Sequence, residues 1–341
     1  MPSRGLAIAD RVRFLVQRAV RIDVSSVTGR ARTTARIHGK SYPLVVADML
    51  WSAFRHRVGF NDYLEFDFAI LSRAERATWV TSPLSLELSK KYDDPAQVHR
   101  FHDKIAFNRD FDRFLRREWR ELRPDDPSAL VDFAARHAVF IAKVPVSKSG
   151  MGVRRYTAEQ VDDAGDFHRA LIERGETLVE EVITQHPDLA AVCPGTVNTT
   201  RVTTFLTDDG RVEIINMAQK FGRGEVSDQA SFGGFYTSLD EDGRATGAGY
   251  DTSGRLFETH PETGYRIADF ALPMMDEVRA LIDDVARVVP TVRYVGWDIV
   301  VSPDGPVLVE GNWGAGVFEH KPTASGRRRG HLPRYRAAMG F

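Results

Sequence analysis

Two apolar runs rich in β-branched residues lie close together near the end of the chain, over residues 294–301 and 307–309. The residues between them include Pro303-Asp304-Gly305-Pro306. This tetrapeptide favours a turn because proline fixes φ and glycine tolerates a positive φ. The pattern therefore predicts a β-hairpin whose turn is centred on Asp304.

A turn centred there places Val301 opposite Val307, and Asp298 opposite Glu310. Side chains alternate along a strand, so Asn312 points to the same face as the two carboxylates. Like charges that face each other across a strand pair destabilise it unless something offsets them. Oxygen ligands without His or Cys suit Mg²⁺ or Mn²⁺. The hairpin thus predicts a magnesium site, although the same pattern fits an exposed hairpin whose acidic groups face water.

The spacing of apolar residues upstream predicts helices and strands in a mixed order. Apolar residues three and four apart indicate helices over residues 44–60 and 66–80, and a helix or helix pair over 96–121. The other predicted elements are a strand over 138–146, a helix over 157–174 with a capping box of Thr157 and Gln160, a strand over 177–183, a hairpin of 198–205 with 211–219, and a helix over 273–290. Residues 90–95, which are charged and end in a proline, read as a linker.

A phosphate site is predicted where the strand over residues 138–146 ends. Lys143 is the lone charge in this strand, and a buried ammonium group is costly without an anionic partner, although an edge-strand lysine could reach water instead. The loop that follows is Ser147-Lys148-Ser149-Gly150-Met151-Gly152. Its glycines let backbone N–H groups approach phosphate oxygens, and Lys148 adds charge. The loop lacks the Walker A spacing and alone would fit an ordinary hairpin turn.

Composition narrows the class of protein. A chain of 341 residues with 43% hydrophobic and 27% charged residues is expected to form a globular protein with two or three lobes around one cleft. The 46 basic and 47 acidic residues give a formal charge of −1, which argues against bulk electrostatic binding of nucleic acid. No apolar run approaches the ~18 residues of a membrane span.

Cys193 is the only cysteine, so no intrachain disulfide can form. A reducing compartment, the cytoplasm, is the expectation, with Cys193 as a packing residue and not a catalytic thiol. Residues 1–20 could form an amphipathic helix, and core packing is a simpler reading of its apolar face than docking on a membrane or partner. Asp10 and Arg11 interrupt the stretch where the apolar region of a signal peptide would lie.

Taken in order, these motifs resemble the ATP-grasp superfamily, and within it the sugar-transfer-associated ATP-grasp group. The resemblance covers roughly residues 99–320. The motifs on which the resemblance rests are His102-Asp103-Lys104, residues 141–145, Gly150-Met151-Gly152, residues 179–183, Asn198-Thr199-Thr200-Arg201, Gly233-Gly234, residues 260–264, Gly296-Trp297-Asp298 and Glu310-Gly311-Asn312. Together they are more specific for a fold than for a substrate.

The resemblance implies an α+β fold in which two lobes grip ATP, with a mainly helical N-terminal lobe. Four segments are implied: a supporting lobe over residues 1–95, a small lobe over 96–176, a large lobe over 177–325 and a basic tail over 326–341 that contains Arg327-Arg328-Arg329. The tail is read as a solvated charge run, although near a nucleotide it would meet phosphate.

The resemblance also implies roles for single residues. Lys104 and Lys143 would contact phosphates, and the loop Ser147-Lys148-Ser149-Gly150-Met151-Gly152 would close over them. The hinge Glu180-Glu181-Val182-Ile183 would meet adenine. Magnesium, or manganese, would be held by Asp298, Glu310 and Asn312. The catalytic residues would be Arg201, at the reacting phosphoryl group, and Lys220, where many relatives carry an arginine. Gln229 follows Asp228 where relatives often show asparagine.

The implied activity is that of an ATP-dependent carboxylate–amine or carboxylate–thiol ligase. Such an enzyme forms an acyl phosphate and releases ADP and phosphate, here from a small or saccharide-linked substrate. Two alternatives remain at this point: a kinase that phosphorylates a hydroxyl group, and a catalytically silent nucleotide-binding protein of polysaccharide assembly. The partners expected are small-molecule substrates, with no nucleic acid and no transmembrane segment, and a homodimer is compatible with the sequence.

Overall fold

The structure is a computed structural model that describes residues 24–147, 151–161, 163–224 and 227–341. The helices are α1 Val24–Ile37, α2 Tyr42–His56, α3 Phe60–Glu65, α4 Arg73–Arg76, α5 Ser82–Tyr92, α6 His99–His102, α7 Lys104–Leu115, α8 Ser128–Arg136, α9 Ala164–Glu173, α10 Pro187–Val192, α11 Met275–Val285, α12 Pro322–Ser325 and α13 Leu332–Met339. Short 3₁₀ turns lie at Phe68–Ile70, Ala158–Gln160, Ala230–Phe232 and Ile267–Asp269.

The strands are β1 Trp119–Glu121, β2 Val139–Lys143, β3 Val153–Thr157, β4 Leu178–Glu181, β5 Thr200–Leu206, β6 Val212–Phe221, β7 Phe235–Leu239, β8 Gly249–Tyr250, β9 Leu256–Phe257, β10 Tyr294–Ser302 and β11 Gly305–Trp313. They form two antiparallel sheets, a four-stranded one in the order β1-β4-β2-β3 and a seven-stranded one in the order β11-β10-β5-β6-β7-β8-β9. The predicted mixture of helices with antiparallel sheets is confirmed.

The hairpin β10–β11 is confirmed, but its predicted register is wrong at the turn. Asp298 does face Glu310, as predicted. A β-bulge between Asp298 and Ile299 shifts the pairing beyond it by one residue, so Val301 faces Pro306 and not Val307. The extra residue of a bulge is opposed by no partner of its own, which moves the turn centre by half a residue. Only the Asp298–Glu310 side of the bulge keeps the predicted pairing.

The small sheet packs its own apolar core against α8 and α9. Phe133 of α8, Phe140 of β2 and Leu171 of α9 are fully buried in it. The predicted helix over residues 157–174 starts later than predicted. The capping box of Thr157 and Gln160 exists, but it closes the 3₁₀ turn. The α-helix begins at Ala164 because the side chain of Asp163 accepts from the N–H of Asp166 and caps it.

The helices before residue 95 lie against the large sheet and so support it. Tyr63 and Phe66 pack in one cluster with Ala218, Tyr236 and Tyr250 of the sheet. A buried ion pair of Lys321 with Asp67 also joins this helical lobe to the segment after β11 (2.5 Å). The N-terminal lobe therefore fixes the face of the sheet that is opposite α11. The amphipathic pattern predicted for residues 1–20 lies outside the described residues.

The end of the chain also packs on the large sheet. Leu332, Tyr335 and Met339 of α13 are buried, and the Tyr335 hydroxyl lies 3.1 Å from that of Tyr294 in β10. Arg328, in the basic run before this helix, binds Glu75 of the N-terminal lobe (2.6 Å). Within the described residues, none of the helices combines the length and the apolar character that a membrane crossing needs.

The linker predicted over residues 90–95 is wrong in its first half, because Lys90, Lys91 and Tyr92 form the last turn of α5. Asp93 is buried, and its Oδ1 accepts from the N–H of Tyr294 (2.8 Å). Burial raises the pKa of Asp93 to about 7, although backbone hydrogen bonds from Tyr294 oppose the rise. Through its bond to Tyr294, this carboxyl group lies at the start of β10, the strand that carries Asp298.

We expect Asp93→Asn to weaken the pH dependence of stability. Between the unfolded-state pKa of about 3.9 and the folded-state pKa, the folded protein binds more protons than the unfolded chain. The free energy of unfolding of the wild type therefore falls as pH rises through this window, and the variant lacks this contribution while it keeps an acceptor for Tyr294. Urea denaturation from pH 5 to 8 should give a shallower slope for Asp93→Asn, with Asp94→Asn as the matched control. Equal slopes for the wild type and Asp93→Asn would contradict the expectation.

Candidate active site

A cavity of about 440 Å³ lies between the two sheets. It is lined by strands of the small sheet on one side and by β10 and β11 of the large sheet on the other. Of the residues predicted as site residues, the cavity is lined by Lys104, Lys143, Ser147, Glu180, Glu181, Val182, Ile183, Lys220, Asp298, Glu310 and Asn312. The fold thus brings together residues that are up to 208 positions apart in sequence, between Lys104 and Asn312.

Only part of the predicted glycine loop lies within the described residues. Lys148, Ser149 and Gly150 lie outside the described residues. Met151 is 63% exposed, and the carbonyl of Gly152 accepts from Val144 N–H to close the hairpin of β2 and β3. Gly152 has a φ of 69°, which favours glycine, and a side chain there would strike Val144. The loop's predicted role in binding phosphate stays a prediction.

The predicted cluster on the hairpin is present. The Nδ2 group of Asn312 lies 3.2 Å from Oε1 of Glu310 and 3.4 Å from Oδ2 of Asp298. The bulge beside Asp298 does not disturb this cluster, because all three residues lie on the same side of it. Two carboxylates and one amide therefore share one face of the sheet, as the alternation of side chains requires.

Asp298 is held by two cations. Arg201 donates from Nε to Oδ1 (2.7 Å) and from Nη2 to Oδ2 (2.9 Å), while Lys220 Nζ lies 3.2 Å from Oδ1. Burial would raise the pKa of Asp298, but Arg201 and Lys220 outweigh it and hold that pKa well below its usual range. Asp298 is therefore ionised at neutral pH.

Arg201 lies behind Asp298 and is not among the described residues that line the cavity. Its Nη1 donates to the carbonyl of Ala315 (2.8 Å), and its guanidinium stacks on the ring of Phe318. In this structure the guanidinium contacts the Asp298 carboxylate, whose position it fixes. The predicted contact of Arg201 with a phosphoryl group stays a prediction.

Glu180 lies at the centre of a second buried network, at the opposite wall. Its carboxylate accepts from Lys143 (2.5 Å), Arg117 (3.2 Å) and Asn108 (2.7 Å). Burial opposes ionisation, but Arg117 and Lys143 hold the pKa of Glu180 well below its usual range. Lys143, which the sequence left without an anionic partner, therefore has one in its own sheet. The next hinge residue, Glu181, accepts from Glu118 N–H (3.0 Å).

Lys104 joins the helix α7 to the loop after β2. Its Nζ donates to Oγ of Ser147 (2.9 Å) and to the carbonyl of Ser147 (3.2 Å). Burial lowers the pKa of Lys104, while the charge of Glu310 across the cavity opposes this effect. The ammonium group therefore points into a space where an anion would stabilise it.

Sequence reasoning missed several lining residues. Asn108 follows Lys104 by one helical turn, so the spacing of four along α7 could have found it. Arg117 lies among many exposed arginines and gives no local signal. Asp228 was noted without a role, and here it accepts from N–H and Oγ1 of Thr199 (2.8 and 2.5 Å). Trp313 donates to Nε2 of His102 (2.7 Å) and closes one end of the cavity.

The hairpin cluster offers the donor set that Mg²⁺ prefers, which is carboxylate and amide oxygen. Glu310 and Asn312 line the cavity directly. Asp298 has roughly four acceptor positions, and Arg201, Lys220 and Asn312 contact them in this structure. Rotation of the Asn312 amide by half a turn would present its oxygen to a metal and free one acceptor position on Oδ2 of Asp298, which keeps its bond from Arg201. The residues present therefore fit a magnesium ion without a change of the backbone.

Residues 169–321 match the family described as sugar-transfer associated ATP-grasp. The match covers less than half of the chain, and this part of the chain resembles that family. The chain as a whole has an α+β fold with a helical N-terminal region. No curated protein matches the chain in sequence.

Several solved structures are similar to the chain. The ATP-grasp ligase PsnB with a minimal precursor is 18% identical over 72% of this chain and 63% of its own, with a TM-score of 0.40. The purK N5-carboxyaminoimidazole ribonucleotide synthetase with ADP is 10% identical over 67% of this chain and 49% of its own, with a TM-score of 0.42. D-alanyl-alanine synthetase A from Vibrio cholerae O1 biovar eltor str. N16961 is 15% identical over 69% and 60%, with a TM-score of 0.40. The chain thus spans from about half to less than two thirds of the length of these structures.

Proposed function

We propose that the chain is an ATP-dependent carboxylate–amine or carboxylate–thiol ligase that forms an acyl phosphate and releases ADP and phosphate. The observation that carries the proposal is the single cavity in which two lysines on one wall, Lys104 and Lys143, face a carboxylate and amide cluster on the other. A polyphosphate needs cations around it, and the metal bound to it needs oxygen ligands. The cavity offers the cations on one side and the oxygen ligands on the other.

The residues of the cavity have distinct roles in this reaction. Lys104 and Lys143 bind the phosphates of ATP, and the apolar side chains of Val182 and Ile183 lie against the base at the hinge. Glu310, Asn312 and Asp298 would hold magnesium, which when bound would neutralise charge on the phosphates. Arg201 positions Asp298. Lys220 Nζ lies 3.2 Å from Asp298 and 3.9 Å from Asp228, and it faces the part of the cavity where the carboxylate substrate would bind.

The carboxylate substrate needs activation because its oxygen is a poor leaving group. The γ-phosphoryl group of ATP passes to the substrate carboxylate, whose oxygen forms the new P–O bond as the bond to ADP breaks. An amine or thiol then attacks the acyl carbon, loses its proton, and phosphate leaves. The protein contributes mainly positioning and electrostatic stabilisation to these steps.

A substrate panel tests this activity. Purified protein with ATP and magnesium would be given small and saccharide-linked carboxylates, each with amines or thiols, and both ADP and phosphate would be measured. We expect ADP and phosphate in equal amounts, and only when both substrates are present. ADP without phosphate, together with a phosphorylated hydroxyl compound, would identify a kinase and overturn the proposal.

ATP binding is expected to depend on magnesium. Glu310 and Asn312 line the cavity, and without a metal the negative charge of Glu310 repels the phosphates. Isothermal titration calorimetry should show at least about tenfold tighter ATP binding with magnesium than with EDTA, which corresponds to about 1.4 kcal/mol. Equal affinity under both conditions would contradict the assigned metal site.

A further inference from the structure

A second cluster of side chains lies outside the ATP cavity and takes no part in the proposed reaction. Cys193 follows α10, and His260 and Glu262 lie in the segment after β9. One ligand atom from each of these three residues lies within 4.8 Å of the others. Cys193 and His260 are buried, whereas Glu262 is exposed. The cluster thus opens to solvent on its Glu262 side.

The imidazole of His260 is oriented as a metal ligand would be. Its Nε2 lies 2.8 Å from the carbonyl of Gly222, which can only accept, so Nε2 carries the proton. The Nδ1 atom therefore carries the lone pair, which accepts a long hydrogen bond from the N–H of Glu262 (3.3 Å), and a metal would replace this bond. A histidine that binds a metal usually donates its other ring N–H to a carbonyl or carboxylate in this way.

The sulfur of Cys193 is surrounded by groups that favour the thiolate. Burial alone would raise the pKa of Cys193, but contacts with His260 and with the backbone N–H groups of Gly224 and Thr196 lower it. The hydroxyl of Thr263 donates to the carbonyl of Val192 (2.7 Å), which fixes the segment of His260 beside that of Cys193. Cys193 is buried, as a packing residue would be, but burial does not account for these contacts.

We propose that Cys193, His260 and Glu262 form a binding site for Zn²⁺. A thiolate, an imidazole and a carboxylate suit zinc, a borderline-soft cation, and exclude magnesium, which prefers a shell of oxygens. In tetrahedral zinc sites the ligand atoms lie roughly 3.5 Å apart, so side-chain movements of about 1 Å close this site around an ion. Three protein ligands leave the fourth position to water, on the exposed side of Glu262.

The site lies against the segment that leads to the ATP cavity. The carbonyl of Gly222 holds His260, and a side chain added at Gly224 would lie 3.3 Å from Oε1 of Glu262. Four residues beyond Gly224 is Asp228, which lines the cavity and binds Thr199. Zinc would therefore fix the start of a segment whose end contributes to the proposed active site.

Metal binding is tested on the full chain without ATP. Protein freed of metal with 1,10-phenanthroline would be titrated with Zn²⁺ and with Co²⁺, and bound zinc would be measured by mass spectrometry. We expect one tightly bound ion per chain, which excess Mg²⁺ does not displace. With Co²⁺ we expect the thiolate-to-cobalt charge-transfer band in the near ultraviolet, which only a cysteine ligand produces.

The variants separate the three ligands. Cys193→Ser should abolish the charge-transfer band, and Glu262→Gln should keep the band but weaken zinc affinity by about tenfold or more. Glu262 is exposed, so its substitution leaves the core intact, and the measurement remains decisive if Cys193→Ser fails to fold. Glu258→Gln, an exposed carboxylate on the same segment, is the matched control and should bind zinc as the wild type does.

A plain hydrogen bond between Cys193 and His260 is the competing explanation. It predicts no charge-transfer band in the wild type and no zinc retained beyond that of the chelated protein, and either result would overturn the proposal. Unchanged zinc affinity in both Cys193→Ser and Glu262→Gln would also overturn it. These readouts need neither ATP nor a substrate, so their failure would leave the proposed ligase activity untouched.

Discussion

Glu310→Gln is expected to leave a folded protein that binds ATP weakly and has lost almost all turnover. Glutamine has nearly the same volume as glutamate but lacks the charge that holds a metal. Loss of one preorganised group that stabilises the transition state costs about 10²–10³ in kcat. The measurement is ADP release under saturating ATP and magnesium, once a substrate is known, and before that the magnesium dependence of ATP binding.

Asp304→Asn is the matched control for Glu310→Gln, because it removes a carboxylate from the exposed turn of the same hairpin. It should leave both ATP binding and turnover unchanged. Wild-type activity in Glu310→Gln would show that this carboxylate holds no essential metal.

Asp298→Asn should differ from Glu310→Gln in its effect on stability. Asp298 is buried with Arg201 and Lys220, and the neutral variant leaves the buried Arg201 without its anion and Lys220 with only the more distant Asp228 (3.9 Å). Removal of one partner from a buried ion pair costs about 3–5 kcal/mol. Glu310 is only half-buried, and its substitution should cost much less. Chemical denaturation of the two variants should therefore separate a carboxylate that holds the fold from one that serves mainly the metal.

The sequence could predict the hairpin cluster because local rules determine it. Alternation of side chains and a turn between two strands suffice to bring Asp298, Glu310 and Asn312 to one face. The half-residue error at the turn came from a bulge, which depends on packing on both sides of the sheet. The cluster survived this error because it lies on the side of the bulge that is away from the turn.

The ion pairs of the site could not be predicted in the same way. Lys143 and Glu180 are on neighbouring strands of the small sheet, but the pairing of β2 with β4 is not set by any short-range signal. Arg117 reaches Glu180 from a position 63 residues away, and Arg201 reaches Asp298 from 97 residues away. Family resemblance identified three of these residues, Lys143, Glu180 and Arg201, as ligand-binding, while the structure shows their partners within the protein.

The pairing of Arg201 with Asp298 changes what its substitution should do. The resemblance assigned Arg201 to the reacting phosphoryl group, and in the structure it positions a proposed metal ligand. Both roles require the guanidinium fork, since Arg201 contacts both oxygens of Asp298 and the carbonyl of Ala315 together. A lysine keeps the charge but cannot make three such contacts in fixed directions.

Arg201→Lys is therefore expected to lower kcat by one or more orders of magnitude, on the scale of a misplaced transition-state group. ATP affinity should change little, because Lys104, Lys143 and the hinge hold the nucleotide without this side chain. Single-turnover kinetics measures the effect on the chemical step, and calorimetry with magnesium measures the effect on ATP affinity.

Arg76→Lys is the matched control for Arg201→Lys. Arg76 forms the same two-point contact with Asp48 in the N-terminal lobe (2.7 Å for each bond), away from the cavity. Arg76→Lys should lose some stability but keep kcat. If Arg201→Lys instead weakened ATP binding strongly and left the single-turnover rate intact, Arg201 would act on the nucleotide and neither assigned role would hold. If both variants lost activity equally, the effect would be one of stability. Arg76 lies in a lobe whose described residues line no part of the cavity, so its substitution can act on kcat only through the fold.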